Sequence, residues 1–246
     1  MRSSEFGGIT LSIEEKFALW LRKHASESSY RRFRDTYLAC KSFVIALYRF
    51  PTLQAIALAL SQCGWITSRR RKMPVDGFGR PIPWYTYSCI NFLSTRGNRI
   101  ERVFEFGSGN STLFWSELAQ EVVSLEHDED FYKHMSGKIP SNVKYHHIGL
   151  VYGGEYSRFL KNMNEKFDLI VIDGRDRVNC AKNCIEALSV HGVIVWDNTE
   201  RKNYEEGKAF LKKNGFRSVE FRGFGPGNAH DWTTTIYYRD GNVLDL

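Results

Sequence analysis

The chain is poor in cysteine and proline. Its five cysteines (Cys40, Cys63, Cys89, Cys180, Cys184) are odd in number and form no CxxC pair, which speaks against a disulfide framework and a structural zinc site. A reducing cytosol is the expected compartment. Cys180 and Cys184, four apart on an expected helix, read as two small residues facing a core. The opening stretch MRSSEFGGIT has no apolar run of the kind a secretory signal needs, and the chain carries no internal repeat and no low-complexity tract. The most apolar run, SFVIALYRFPTLQAIALAL at 42–60, contains Arg49, Pro51 and Gln54. A bilayer-crossing helix of about 20 apolar residues should be free of such interruptions. The run therefore reads as two packed helices broken near Pro51. The alternative is an interfacial membrane helix flanked by Lys41 and the RRRK run at 69–72.

What is present is ample core material, 42% hydrophobic and 14% aromatic, in 246 residues. That suits one α/β domain with an appendage. Charge is uneven: the first 100 residues hold 16 Lys+Arg against 6 Asp+Glu, a net +10, and the remainder 18 against 22. The basic part could meet nucleic acid, anionic lipid or an acidic glycan. Up to about residue 68 the apolar spacing is helical, with Ile13, Phe17, Trp20 and Leu21 on one face and Ser12 with Glu15 as a capping box. A Pro- and Gly-rich loop is expected over 68–87, followed by a helix from about 85 to 96. From residue 101 seven β-rich runs follow (RVFEFG, EVVSLEHD, VKYHHIG, FDLIVIDG, GVIVWDN, SVEFRGFG, TTTIYYR), the early ones separated by helical stretches. The expected fold is α/β, a seven-stranded, mostly parallel sheet with helices on both faces. Residues 1–97 form an N-terminal helical extension with a lid loop at 74–87, and 98–246 the ligand-binding domain.

The segment VFEFGSGNSTLFW, 103–115, runs strand, glycine turn and helix in succession. Such a turn aims backbone N–H groups at a crevice beyond the strand's carboxyl end. Gly107 and Gly109 supply a GxG, but Thr112 stands where a dinucleotide fingerprint has its third glycine. Glu105, just before the turn, suits a ligand with a cationic amino group and would repel a diphosphate. Glu126 lies 19 residues after Gly107 at the end of the second strand run, where an acid can accept both hydroxyls of a ribose.

Together, Glu105-Phe-Gly107-Ser-Gly109 and Glu126 resemble the first motifs of class I S-adenosylmethionine-dependent methyltransferases, whose Rossmann-like fold matches the run of elements from about residue 101. The resemblance implies S-adenosyl-L-methionine as cofactor. It places Gly107, Gly109 and Ser111 near the methionine portion and Glu126 on the ribose, with Glu105, Ser108 and Asp173 completing the cofactor-binding set.

Two later runs end in oxygen ligands, FDLIVIDG in Asp173 and GVIVWDN in Asp197-Asn198. On adjacent strands they would face one crevice as a hard-cation site for Mg²⁺ or Mn²⁺. This pattern resembles the cation-dependent O-methyltransferases typified by catechol O-methyltransferase, which would make Asp173, Asp197 and Asn198 the metal ligands. Asp176 stands where that family's catalytic lysine would fall, which leaves the general base open, with Asp173 and His230 as candidates. Arg175 and Arg177 flank Asp173, either to clamp an acidic sugar or phosphate or to pair locally with Asp176. The catalytic set is thus Asp173, Arg175, Asp197 and His230.

PIPWYTY at 81–87 and GFGPGNAHDWTTTIYYR at 223–239 offer Trp84, Tyr85, Asp231 and Trp232 as acceptor-binding residues, flat faces with polar tips that suit a sugar ring. GSGNSTLFW, SLEHD, IDG and WDNTER are also loosely similar to glucuronoxylan methyltransferases and bacterial methyltransferases of surface-polysaccharide type. That similarity implies O-methylation of a sugar or glycan hydroxyl. His127, His146 and His147 are expected to be structural or adenine-side residues, since alternate directions along a strand keep 146 and 147 from sharing a metal. The rival readings are a nicotinamide oxidoreductase, opposed by Glu105 and Thr112, a nucleic-acid methyltransferase or binding module using the basic N-terminal part, and a silent cofactor-binding protein. A glycan or small-molecule acceptor is expected as partner rather than nucleic acid, in a cytoplasmic protein with a peripheral membrane contact through its basic part.

Overall fold

Strands buried on both faces read as continuous apolar runs whose successive side chains serve different layers. Val103, Leu169, Val171, Val193 and Val195 enter one buried cluster, while Phe104, Phe106, Ile170, Ile172, Ile194 and Trp196 enter the other. A computed structural model describes residues 20–246, with backbone alone at 46–49 and 98. The capping box expected at Ser12 and Glu15, with Ile13 and Phe17, lies outside the described residues. The chain divides into two units, 1–58 and 59–246.

In the first unit, helix α1 (Glu27–Gln62) runs without a break through Pro51, up to and beyond Leu58. The expected pair of packed helices is not formed, and no described side chain between 27 and 58 is buried. Proline removes one backbone hydrogen bond at a cost of about 3 kcal/mol. The good helix formers Leu53, Ala55, Ala57 and Leu58 that follow it favour continuing the helix.

The second unit opens with α2 (Trp65–Arg71), so the expected loop begins after Arg71, and continues to α3 (Tyr87–Arg96). Between them Asp76 ties the loop: its Oδ1 accepts from the backbone N–H groups of Phe78 and Arg80, and its Oδ2 from Arg80 Nε. Strands and helices then alternate as β1 (Arg102–Phe106), α4 (Asn110–Leu118), β2 (Glu121–Glu126), α5 (Glu129–Ser136), β3 (Val143–His147), α6 (Glu155–Arg158), β4 (Phe167–Ile172), α7 (Arg177–Asn183), β5 (Leu188–Asp197), α8 (Glu205–Lys213), β6 (Arg217–Gly223) and β7 (Trp232–Tyr238). The strand order is β3-β2-β1-β4-β5-β7-β6. All pairs are parallel except those of β7, which runs antiparallel between β5 and β6. The expected seven-stranded, mostly parallel sheet is thus observed.

The second unit starts well before residue 98, because Ile82, Tyr85, Cys89, Ile90 and Leu93 bury in the same cluster as Val103 of β1. Cys180 and Cys184 both face the other cluster, as their spacing suggests. The strand order reverses between β1 and β4, and such a switch point opens a crevice at the strands' carboxyl ends. The loops after Phe106, Glu126, Ile172 and Asp197 all converge there.

Close helix-to-sheet approach sets one sharp packing limit. A Cβ on Gly207 of α8 would lie 2.5 Å from the Trp196 ring, and Trp196 is fully buried. Gly207→Ala gains about 1 kcal/mol of helix propensity, yet overpacking of this kind costs about 1–3 kcal/mol. The net effect expected is a lower urea midpoint, and a midpoint raised by the substitution would show that the helix can lift off the tryptophan.

Candidate active site

The glycine turn after β1 is built on a close backbone crossing. Gly107 has φ 91°, and a Cβ there would sit 2.8 Å from the Gly174 Cα, while a Cβ on Gly174 would meet the Tyr156 hydroxyl at 2.1 Å. The ends of β1 and β4 approach this closely only because both residues are glycine. Thr112 explains the missing third glycine: its hydroxyl accepts from Gly109 N–H at 3.1 Å and donates to Glu105 Oε2 at 2.6 Å, so it locks the turn.

Glu105 is fully buried behind the turn rather than on a cavity wall. Its Oε2 also accepts from Ser124 at 3.0 Å, and its Oε1 has no partner. Burial pushes its carboxyl up to about 7, against the hydrogen bonds of Ser111, Thr112 and Ser124. Glu126 is the opposite case, buried yet turned to the crevice. Its Oε2 accepts from the Ser108 N–H and hydroxyl, and its Oε1 from the His127 and Asp128 N–H groups.

Three cavities meet at the switch point. One of about 400 Å³ is bounded by Gly107, Ser108, Glu126, Asp128, Phe131 and Arg175. A second, about 190 Å³, lies against Gly109, Asn110, Ser111, Trp84, Phe131 and Met135. The third, about 330 Å³, is lined by Trp84, Asp197, Asn198, Arg201, His230 and Trp232. Asp173 lines all three, and Trp84, held by its Nε1–H on the Pro226 carbonyl at 2.8 Å, lies between the last two.

Around Asp173 the donor set differs from the expected cation site. Arg177 is buried and its guanidinium pairs with Asp173 Oδ1 at 2.9 Å. It also donates to the carbonyl oxygens of Asp173 at 3.0 Å, Gly174 at 2.9 Å and Asp197 at 2.6 Å, with the Asn198 side-chain oxygen 3.4 Å away. Asp197 is turned inward, where its Oδ1 accepts from Trp232 Nε1 at 3.0 Å and Thr234 Oγ1 at 2.6 Å. The positive charge that a divalent ion would bring is already supplied by this guanidinium. No cluster of three His, Cys, Asp or Glu suited to a metal occurs among the described residues. Asp173, Asp197 and Asn198 therefore do not fit Mg²⁺ or Mn²⁺, and the expected metal site is corrected to an arginine-centred one. Burial raises the Asp173 carboxyl, with Arg177 and Arg201 opposing, and raises Asp197 further, with the Asp173 charge adding to it.

Other expected site residues are redistributed. Tyr85 is fully buried in the core with an unpartnered hydroxyl, because its neighbour Trp84 takes the cavity side. Asp231 pairs with Arg222 at 2.7 Å on the surface and lines none of the three cavities. Arg175 lies on the Glu126 side and away from His230. Asp176, where a lysine was the family expectation, anchors a loop by accepting from Gly153 N–H at 2.7 Å and Asn179 at 2.8 Å. Arg201, Asn110, Phe131 and Asn228 line the cavities without having been singled out. Arg201, within WDNTER, was the one a reading of strand-end residues could have found. His127 borders the Glu126 cavity, whereas His146 packs on Phe159 and His147 on Tyr132.

Residues 104–199 match a family model described as a methyltransferase domain. Among solved structures, an O-methyltransferase from Streptomyces achromogenes involved in tomaymycin synthesis, solved with S-adenosylmethionine, aligns at 15% identity and TM-score 0.50 over 74% of this chain and 90% of its own. A methyltransferase from Pyrococcus furiosus aligns at 16% identity and TM-score 0.47 over 77% and 98%. A precorrin-6y C5,15-methyltransferase from Geobacter metallireducens aligns at 14% and 0.47 over 61% and 86%. No curated protein sequence matches. The fold of the second unit is the Rossmann-like fold of class I methyltransferases.

Two measurements test these assignments. Arg177→Met, which strands buried carboxylates, should cost about 3–5 kcal/mol in urea unfolding, and Mg²⁺ or Mn²⁺ should leave the wild-type Tm unchanged. A rise of Tm with either ion would restore the cation site. For Glu105, the folded pKa near 7 lies above the ordinary 4.5, so the folded state holds the extra proton between these values. Its contribution is fully present below about pH 4.5 and is lost as pH rises through 7, at most about 3 kcal/mol. The wild-type Tm should fall across that window more steeply than that of Glu105→Gln, and equal slopes would refute the shift.

Proposed function

We propose that the protein is an S-adenosylmethionine-dependent O-methyltransferase acting on a hydroxyl of a sugar or glycan. The observation that carries this reading is the position of Asp173, the one carboxylate common to the cavities on the glycine-turn side and to the cavity lined by Trp84, Arg201, His230 and Trp232. The residues fit the cofactor. The turn at Gly107 runs tight against Gly174, and Glu126 lines the cavity beside it as the acid that ribose hydroxyls would meet. Gly109 and Ser111 border the adjoining cavity on the methionine side, and Glu105, buried behind the turn, holds Thr112 and with it the turn in place.

When bound, S-adenosylmethionine would supply a sulfonium-activated methyl group, its S–C bond breaking with the electron pair left on sulfur so that S-adenosylhomocysteine departs as a neutral thioether. Asp173 accepts the proton of the acceptor hydroxyl as its oxygen forms the new bond to carbon. Burial makes this carboxylate a stronger base than an exposed one, and Arg177 keeps it ionised and oriented. Trp84 offers a flat, exposed face to the ring's C–H surfaces, Trp232 is buried and braces the wall through Asp197, and Asn198, Arg201 and His230 reach the ring's hydroxyls or an acidic substituent. The Streptomyces achromogenes protein that shares this fold is an O-methyltransferase, which supports an oxygen acceptor.

Calorimetry should show S-adenosylhomocysteine binding to the wild type and a loss of about 1–3 kcal/mol for Glu126→Ala, through the charge-assisted ribose hydrogen bonds. Asp173→Asn should keep the product's affinity within about threefold while methyl transfer to a panel of mono- and oligosaccharides falls by about 10²–10⁴-fold. A folded wild type that does not bind the product would end the cofactor assignment. Retained transfer by Asp173→Asn would move the base to His230.

A further inference from the structure

We infer that helix α1 is embedded in an anionic lipid bilayer. This inference rests on the first unit and the charges beside it, and is independent of the methyltransferase reading. Large apolar side chains stand exposed along α1, among them Phe43 (65%), Val44 (62%), Phe50 (58%), Leu53 (62%), Ile56 (51%) and Leu58 (62%). At about 100° per residue these six positions fall on all sides of the helix axis. A helix that packs on one protein partner carries a single apolar stripe, whereas one that is apolar all round belongs in a protein core or a membrane. Among the described residues no core covers this helix, since none of its apolar window is buried.

Length points the same way. The run 42–60 spans about 28 Å at 1.5 Å per residue, close to the hydrocarbon thickness of about 30 Å. The single charge of that run, Arg49, and the continuous helix through Pro51 do not outweigh its exposed apolar surface. Helical Pro is tolerated in bilayers.

Charge decides between lipid and a second copy of the chain. Arg31, Arg32 and Arg34 lie before the apolar run, with Glu27 and Asp35 as the only acids in that turn region, and the exposed Arg69-Arg70-Arg71-Lys72 follows seven residues after the helix ends. Both flanks are basic, so two copies would oppose like charges in either orientation. Anionic headgroups would meet an attractive partner at both ends.

The full chain, incubated with phosphatidylcholine vesicles with or without phosphatidylglycerol and floated on a density gradient, tests this. The wild type should float with the vesicles, at least roughly tenfold more with the anionic lipid than without. The double variant Val44→Glu with Leu53→Glu, both at exposed positions, should lose flotation at least tenfold while its circular dichroism and S-adenosylhomocysteine affinity stay those of the wild type. A wild type that remains at the bottom of both gradients overturns the proposal, whether it is monomeric, paired into oligomers by light scattering, or carrying co-purified nucleic acid. Equal flotation of the double variant also overturns it. Failure of S-adenosylhomocysteine binding in both proteins would count only against the cofactor reading.

Discussion

One guanidinium holds the crevice together. Arg177 joins the ends of β4 and β5 by donating to backbone carbonyls of both strands, and it pairs with the Asp173 side chain that faces the cavities. Parallel neighbours end in carbonyls that point past the last ladder bond, and in a closed crevice water does not reach them all. Arginine answers with five donors in a rigid fork. Remove it and the fault is not local, because both a carboxylate and the strand ends lose their partner in a place where solvent does little to compensate.

That arrangement also explains why β7 matters to the site. Asp197, crowded by Asp173, is held by donors from Trp232 and Thr234, so the antiparallel strand supplies the hydrogen bonds that keep the inner acid in place. The wall of the cavity beside Arg201 and the stability of β7 are thus coupled through one carboxylate. Glu105 plays a related part on the other side of β1, where Thr112 and Ser124 hold a carboxylate whose second oxygen is left without a partner.

The architecture was legible because it rests on short-range patterns. Apolar runs such as FDLIVI record burial on both faces, and the interval from Gly107 to Glu126 is the length of one turn, one helix and one strand. What the sequence could not show depends on direction and on distant partners. Trp84 and Tyr85 are chemically alike neighbours, yet one reaches the cavity and the other the core. Asp231 and Trp232 likewise part company, the acid to a surface pair with Arg222 and the indole to Asp197. Asp173, Asp197 and Asn198 spell a cation site only until Arg177 is placed among them, since its bonds to Asp173 and Gly174 cross a non-helical turn and its bond to Asp197 reaches another strand, neither with a sequence period. Pro51 misled in the other direction, for a breaker that interrupts a packed helix need not interrupt an exposed one.

The meeting of Gly107 with Gly174 divides the crevice into halves of different adaptability. At the glycine crossing the shape is drawn by main chain, and any side chain larger than hydrogen at either glycine collides with backbone or with the Tyr156 hydroxyl. In the cavity beyond Asp173 the surface is drawn by Trp84, Asn198, Arg201 and His230, carried on separate loops. Single substitutions in those loops can therefore reshape that cavity, while the glycine crossing has almost no room in which to drift.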